Sequence, residues 1–493
     1  MERSPKILEK QLYDIWLKQE FCQPLTTVSG EEVVVLDTGI VTPDLSGPDF
    51  KNARIRIGNL TYVGDIEIDT NYTDWKAHGH SIDNKYNKIV LHACLHNKHE
   101  QPFVYTKEGR KVHTLDLTEH IDSNKLENIE EEVHVVEQKH SQFLKCAESV
   151  VEIDYKIKEK LLSELGFKRL DKKCKRIYAR LKELAYLKEM HVKEPVVGYE
   201  LTRELDEREF THEDFQDREL WEQLFYEMVF EALGYSKNKN IMLHLAQSAD
   251  ISFLRKLGLD DEFTERVESA LYHIGGLVPE LDSYPGEEIE KYVRKIEEHW
   301  DNIRRIYDAE IYDETQWHFF KLRPQNFPTI RIAGGTRIVK EILYGNLIDV
   351  FVKKITEIRN FNVLINILRS ILVVKSDGFW KHHYVFDKPA NGEIKYFVGV
   401  SRADEIIINV LLPYFTIYFD VFGEEALAKK VFKLYAFFQQ KSENKIVHEV
   451  AENLGVGNLT KKTLYQQGMI ELFRNFCSKG RCMDCEIGKM VFD

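Results

Sequence analysis

The sequence predicts an α+β protein. An N-terminal α/β core in the order helix, strand, strand, strand, helix, strand leads into a mostly α-helical C-terminal region. Three observations carry that prediction. Runs with an apolar period of two, ARIRIG and LTYVGDIEID, crowd the first part of the chain. From about residue 122 the period turns helical and the composition strongly charged. A hydrophobic content of 43% and an aromatic content of 12% over 493 residues are enough to bury large cores. The expected division is 1–120 as an α/β domain, 121–200 as a charged helical linker region, and 201–493 as an α-helical domain ending in a cysteine cluster.

Each element has its local cause. Ile7, Leu8, Leu12, Ile15 and Trp16 recur at helical spacing, so residues 5–21 form an amphipathic first helix. EVVVLD at 32–37 is a β-branched strand. The two alternating runs that follow meet at Gly58 and Asn59, a hairpin signal. A short helix near 73–80 and a turn at Asp83 to Lys85 precede KIVLHACLH, in which Ile89, Leu91, Ala93 and Leu95 share one strand face. KVHTLDLT at 111–118 adds an edge strand. Two or three helices follow over 141–191. Thr211 and Asp214 form a capping box before a helix stopped by Gly234, and further helices run at 240–257, 262–273, 286–310, 337–374, 403–422 and 424–440. Loops are expected at 322–335 and 376–393.

Composition excludes some classes of function. The start of the chain has no apolar run with a small-residue cleavage site. Arg369 interrupts the apolar stretch 362–374, and Asn409, Pro413 and Asp420 interrupt 405–422, so neither offers the ~20 apolar residues of a membrane span. A soluble, cytoplasmic protein without a membrane partner is expected. Seven cysteines, an odd number bunched toward the end, do not form a disulfide framework. A net charge of -13 argues against a surface built wholly to hold phosphate, though not against a local basic groove.

Residues 47–92 concentrate the chemistry. Asp65, Glu67 and Asp69 alternate along one strand and project to one side, and Asp49 enters the preceding strand. Carboxylates gathered this way repel unless they are solvated or share a cation, and magnesium or manganese suits such oxygen-rich sites. The plainer reading is a solvated edge strand. The segment DWKAHGHSIDNKYNKIVLH adds Asp74, Trp75, His78, His80, Asp83, Tyr86 and His92. Histidines two apart beside acids can bind a transition metal or exchange protons near neutral pH, or can simply make local hydrogen bonds around a core tryptophan.

This order of elements, with Pro48-Asp49 opening one strand and Glu67-Ile68-Asp69 in the next, resembles the PD-(D/E)XK, or restriction-endonuclease-like, nuclease superfamily. The resemblance implies a nuclease-like domain over 1–120, with Asp49 and Glu67 as metal ligands and the Ile68 carbonyl assisting. Asp69 stands where that superfamily places a lysine, so His78 or His80 is the candidate base. GPDF, GD-I-E-I, DW-xx-H-x-H and the closing C-x4-C-x2-C together resemble an uncharacterised bacterial family, the domain-of-unknown-function 2851 family, over nearly the whole chain. That family's pattern implies a histidine at the position of Asp69.

Cys477, Cys482 and Cys485 lie in FCSKGRCMDCEIG beside Lys479 and Arg481. Three close thiols can hold zinc or an iron–sulfur cluster with a fourth ligand, or stay free. By resemblance to iron–sulfur nucleases with one cysteine before the nuclease core, Cys22 is a candidate fourth ligand; a histidine is another. Cys94, Cys146 and Cys174 are read as packing residues. Lys168, Arg169, Lys172, Lys173, Lys175, Arg176, Arg180 and Lys182 surround Tyr178 on a helix that either tracks a nucleic-acid backbone or is a solvated face. Arg323, Asn326 and Arg331, and Trp380, His382, His383 and Tyr384, are read as turn chemistry and packing.

Three functions follow as expectations. The first is a nuclease in which Asp49, Asp65 and Glu67 hold magnesium or manganese, with catalytic roles for Asp49, Glu67, Asp69, His78 and His80. The second is a non-catalytic nucleic-acid or protein-binding module with a structural metal at Cys477, Cys482 and Cys485. The third is an enzyme of unrelated chemistry that uses the histidines and a transition metal.

Overall fold

The computed structural model describes residues 4–492 apart from 42–46, 99, 123–143, 148, 151–152, 192–204, 206–207, 280–285, 320–321 and 441–443. The linker expected over 121–200 falls partly on these. The chain divides into two compact units, Met1–Gln142 with His318–Arg323, and Phe143–Trp317 with Pro324–Asp493.

The first unit is built on one mixed sheet. Helix α1 (Ser4–Lys18) precedes strands β1 (Leu25–Thr26), β2 (Glu32–Asp37), β3 (Ile40–Val41), β4 (Phe50–Ile57) and β5 (Leu60–Asn71). The one-turn helix α2 (Asp74–Ala77) follows, then β6 (Ile89–His96), β7 (Phe103–Tyr105) and β8 (Lys111–Asp116). The sheet order is β1-β2-β4-β5-β6-β8-β7, with β3 on β4. Strand β4 pairs antiparallel with both β2 and β5, and β6 pairs parallel with both β5 and β8. The hairpin joining β4 to β5 turns at Gly58, whose φ of +56° is left-handed and suits glycine.

Both sheet faces are covered. Leu12, Ile15 and Trp16 of α1 pack on Phe50, Ile55, Ile66, Ile68, Leu91 and Ala93. On the other face Trp75 and Tyr86 close over Ile89, Val104 and Val112. Ile89 therefore leaves the face expected of it, because the register between β5 and β6 shifts between Asp65 and Ile66. Strand β8 is internal rather than an edge, since β7 pairs outside it.

The second unit is helical, with small two-stranded pieces pairing Val374–Lys375 with Tyr396–Val398 and His383–Val385 with Lys388–Pro389. The region read as two or three helices contains one 35-residue helix, α3 (Tyr155–Glu189). Thr211 and Asp214 do cap, but over the 3-10 turn His212–Phe215; helix α4 (Arg218–Leu233) follows with Asp217 as its own N-cap. The expected loop at 322–335 is instead mostly the start of α5 (Pro328–Leu343), with proline in its first turn where no N–H is needed. The single helix expected over 337–374 is broken at Tyr344 to Asn346 and again before Asn360, which caps Phe361–Leu372. Helix α6 (Thr463–Asn475) lies along α3, and the chain closes with the short α7 (Glu486–Phe492). Among the described residues no helix is long and apolar enough to cross a membrane.

Five cations of the basic stretch of α3 are engaged inside this unit. Arg169 reaches Gln467 and Glu471, Lys172 pairs with Glu471, and Lys173 donates to Asn409 and Gln467. Arg176 pairs with Glu231 and Arg180 with Glu227. Lys168 and Lys175 stay on the solvated face of the same helix.

A buried acid and histidine constellation

The candidate site lies on the sheet face covered by residues 72–86. Strand β5 is internal, so its acids are not solvated: Asp65, Glu67 and Asp69 are 7%, 3% and 2% exposed. This overturns the edge-strand reading. Alternation puts Glu67 and Asp69 opposite the buried Ile66 and Ile68. His92 enters from β6, which aligns Glu67 with His92 in register. Asn71 donates its backbone N–H and side-chain amide to Asp74, fixing the exit from β5 into α2. Trp75 Nε1 and Tyr72 OH then donate to the Tyr105 and Phe103 carbonyls of β7 and tie the covering segment down. Gly79, with φ at +85°, turns the chain so that His78 and His80 both reach the acids.

The contacts converge on Asp69. His78 Nδ1 lies 3.2 Å from its Oδ1; His92 Nε2 lies 3.2 Å and His80 Nε2 3.8 Å from its Oδ2. His80 Nε2 is also 3.0 Å from Glu67 Oε1. The other Glu67 oxygen accepts the Asp49 N–H at 3.2 Å. The Asp49 carboxylate accepts from the Ile68 N–H at 2.9 Å and from the Tyr13 hydroxyl. A register shift of β4 between Phe50 and Ala53 lies beside Asp49. There the Asn52 N–H donates to Asp65 at 3.1 Å, so Asp65 braces the bulge.

Charge follows this wiring. Burial alone would push Asp69 up, but hydrogen bonds from His78, His80 and His92 hold it well below the usual carboxylate range. Burial lowers His80, yet Glu67 and Asp69 outweigh it and raise that imidazole to about 10. Asp49 goes the other way: burial, then the Glu67 charge, push it well above its ordinary value despite Tyr13 and Ile68. Asp69, His78 and His80 each present a ligand atom within 4.8 Å of one another, a set that can hold a metal ion. A cation there would take the place of the His80 proton.

Five of the residues singled out in the sequence, Asp49, Glu67, Asp69, His78 and His80, are thus joined by direct contacts. Asp65 makes a different bond. Tyr13 had no signal, because its helix is remote in sequence and tyrosine on an amphipathic helix reads as packing. His92 carried only the weak signal of a histidine on a strand. In the second unit Trp380 is buried with Nε1 2.8 Å from the Tyr292 hydroxyl, and His383 stacks on Phe379, as the packing reading expects. Arg331 is buried as well, bonding Asn326 and Tyr235. Cys477, Cys482 and Cys485 sit on two 3-10 turns after α6, while Cys22 is exposed in the first unit.

Fold and site define an α+β protein whose N-terminal mixed sheet carries a buried acid and histidine centre and whose larger part is helical. The chain matches the family described as Protein of unknown function (DUF2851) over residues 9–193 and 201–445, and it belongs to that family. No curated protein and no solved structure matches it.

Proposed function

We propose that the first unit is a metal-dependent phosphodiester hydrolase, a nuclease of the restriction-endonuclease-like kind. The observation that carries this reading is the convergence of Asp49, Glu67, Asp69, His78 and His80 on one largely buried spot. The sheet supports it: three antiparallel strands followed by β6 parallel to β5, with an acid opening β4 and acids within β5. Asp49 and the His78 side chain, which is 19% exposed, keep the spot open to solvent.

The donors fit a divalent cation. Asp49 and Glu67 repel each other across their contact, a strain that a cation relieves. Mixed carboxylate and imidazole ligands favour manganese over magnesium. The ion would polarise a phosphoryl oxygen and acidify its bound water. The protein's own part is to aim the ligands. Tyr13 and the Ile68 N–H orient Asp49, His92 orients Asp69, and Trp75 and Tyr86 pack against His80 and close that side of the site. Asp69 stands at the lysine position and no lysine among the described residues contacts the acids, so proton removal falls to His78, the most exposed of the three imidazoles.

A second reading, favoured by the clasp of three histidines on Asp69 where the nuclease pattern has lysine, is a non-catalytic nucleic-acid or protein-binding module. One experiment separates the two. Labelled DNA and RNA are incubated with the protein in manganese, magnesium or chelator, beside folded Asp49→Ala, Glu67→Ala and His78→Ala variants. Manganese-dependent cleavage abolished in all three supports the hydrolase; binding without cleavage, or cleavage indifferent to the substitutions, refutes it.

A further inference from the structure

The second unit gathers four of the chain's seven cysteines in one place. Cys477 and Cys482 lie on consecutive 3-10 turns, and Cys485 opens α7. The fourth is Cys146, far away in sequence and read there as a packing residue. Leu144 and Val150 flank it and share one apolar cluster with Cys485 and Ile487, against which Cys146 and Cys477 both pack. The Val150 N–H donates to the Cys146 carbonyl at 2.9 Å and curls this segment into a turn. Leu144 N donates to Asn453 of the helix Lys445–Leu454 at 3.4 Å, and the Lys145 side chain lies beside Gly480 of the C-terminal loop. Burial pushes the Cys146 thiol up and the Cys477 thiol to about 12, and the neighbouring Cys485 and Cys482 push both the same way.

We propose that Cys146, Cys477, Cys482 and Cys485 are the four thiolate ligands of an iron–sulfur cluster. Four thiols from two separate turns, held by one apolar cluster, match the ligand count such a cluster needs. Backbone donors reach one of the sulfurs. The Ile487 and Gly488 N–H groups donate to the Cys485 sulfur, the hydrogen bonding that stabilises cluster-bound sulfur. Gly488 permits it, because a Cβ there would collide with the Cys482 carbonyl. Lys158, 6% exposed, donates to the Leu454 carbonyl at 3.0 Å and ties α3 to the same apolar cluster.

Spacing bears on the choice between a cluster and a single zinc ion. Tetrahedral zinc with Zn–S near 2.3 Å brings its sulfurs to about 3.8 Å of one another. Among the described residues the single trio of ligand atoms lying mutually within 4.8 Å is Asp69, His78 and His80, so no three of these sulfurs approach that closely. A cubane, whose irons stand between the thiolates, spreads its ligands wider. Cys22 is not needed, since the set of four is complete within the second unit.

The full-length protein is purified without oxygen, and its iron, acid-labile sulfide and zinc are measured beside the visible absorption spectrum. About four irons and four sulfides per chain are expected, with loss of most of both in Cys146→Ser and Cys477→Ser and retention in Cys22→Ser and Cys174→Ser. Because a serine variant can fail to fold, the wild-type protein is also alkylated before and after the cluster is removed by oxidation and chelation. Cys146, Cys477, Cys482 and Cys485 should gain label on removal while Cys22 is labelled throughout. Stoichiometric zinc without sulfide, absence of metal, or loss of cluster in Cys22→Ser with retention in Cys146→Ser overturns the proposal. None of these readouts depends on nuclease activity.

Discussion

Replacing Arg180 by leucine tests whether the basic stretch of α3 is structural. The guanidinium grips Glu227 at both oxygens, Nε to Oε2 and Nη2 to Oε1 at 2.8 Å each, and Gln223 donates to the same carboxylate at 2.8 Å. The Arg180 side chain is 10% exposed and that of Glu227 0%. Arg180→Leu leaves a buried carboxylate without its guanidinium, which costs about 3–5 kcal/mol. With a urea m-value of ~3 kcal/mol/M, the midpoint of unfolding falls by about 1–2 M. Arg180→Leu/Glu227→Leu removes both charges and should recover most of the loss. Lys175→Leu, at a lysine 75% exposed and paired with Asp171 one helical turn away, should cost under about 1 kcal/mol. Urea unfolding followed by circular dichroism reads all three, with a gel-shift titration of DNA and RNA alongside. An unchanged midpoint in Arg180→Leu together with weaker, more salt-sensitive nucleic-acid binding would refute the structural role and return the helix to phosphate.

Two further outcomes follow from packing and from burial. Gly468→Ala should destabilise by about 1–3 kcal/mol in a chemical-denaturation series, since the new Cβ would overlap the Leu162 carbonyl of α3 and outweigh the ~1 kcal/mol that alanine normally gains in a helix. His273 sits against Trp300 with Nδ1 2.8 Å from the Ser269 carbonyl, and burial pushes its imidazole down to about 4. Its contribution to stability is therefore present above about pH 6.5 and is lost as the pH falls toward 4, about 2 kcal/mol of it by pH 5. His273→Gln should flatten that part of the pH–stability curve; an identical slope in the variant would count against the assignment.

How much of this was legible in the sequence depends on how far apart the partners lie along the chain. The hairpin of β4 and β5 was legible because a period of two and a glycine turn act within a few residues. The acid and histidine centre was legible for the same reason, since residues 49–80 supply five of its groups through neighbouring elements. Whether those acids met solvent was not, because that depends on β6 lying beside β5 and on Trp75 and Tyr86 covering the sheet. A strand with charges on one face reads as an edge until its cover is known. The helical unit misled in the opposite sense. Buried Lys158 and Arg180 count as polar in any periodicity, so α3 looked interrupted although those side chains face partners. Tyr13 and Cys146 carried the least signal of all, each being an ordinary residue until a distant segment gives it a function. The two centres accordingly differ in what disrupts them. Asp69 and its histidines are positioned chiefly by one sheet face and the segment covering it. Cys146 meets the C-terminal thiols only through the apolar cluster that holds Leu144 and Val150 against Cys485 and Ile487. On the two proposed metal sites, loosening that cluster with Val150→Ala should release metal from the cysteines and leave manganese binding by the first unit unchanged, a separation that metal analysis and isothermal titration read independently. Parallel loss at both would mean that the two centres share a fold determinant beyond these local contacts.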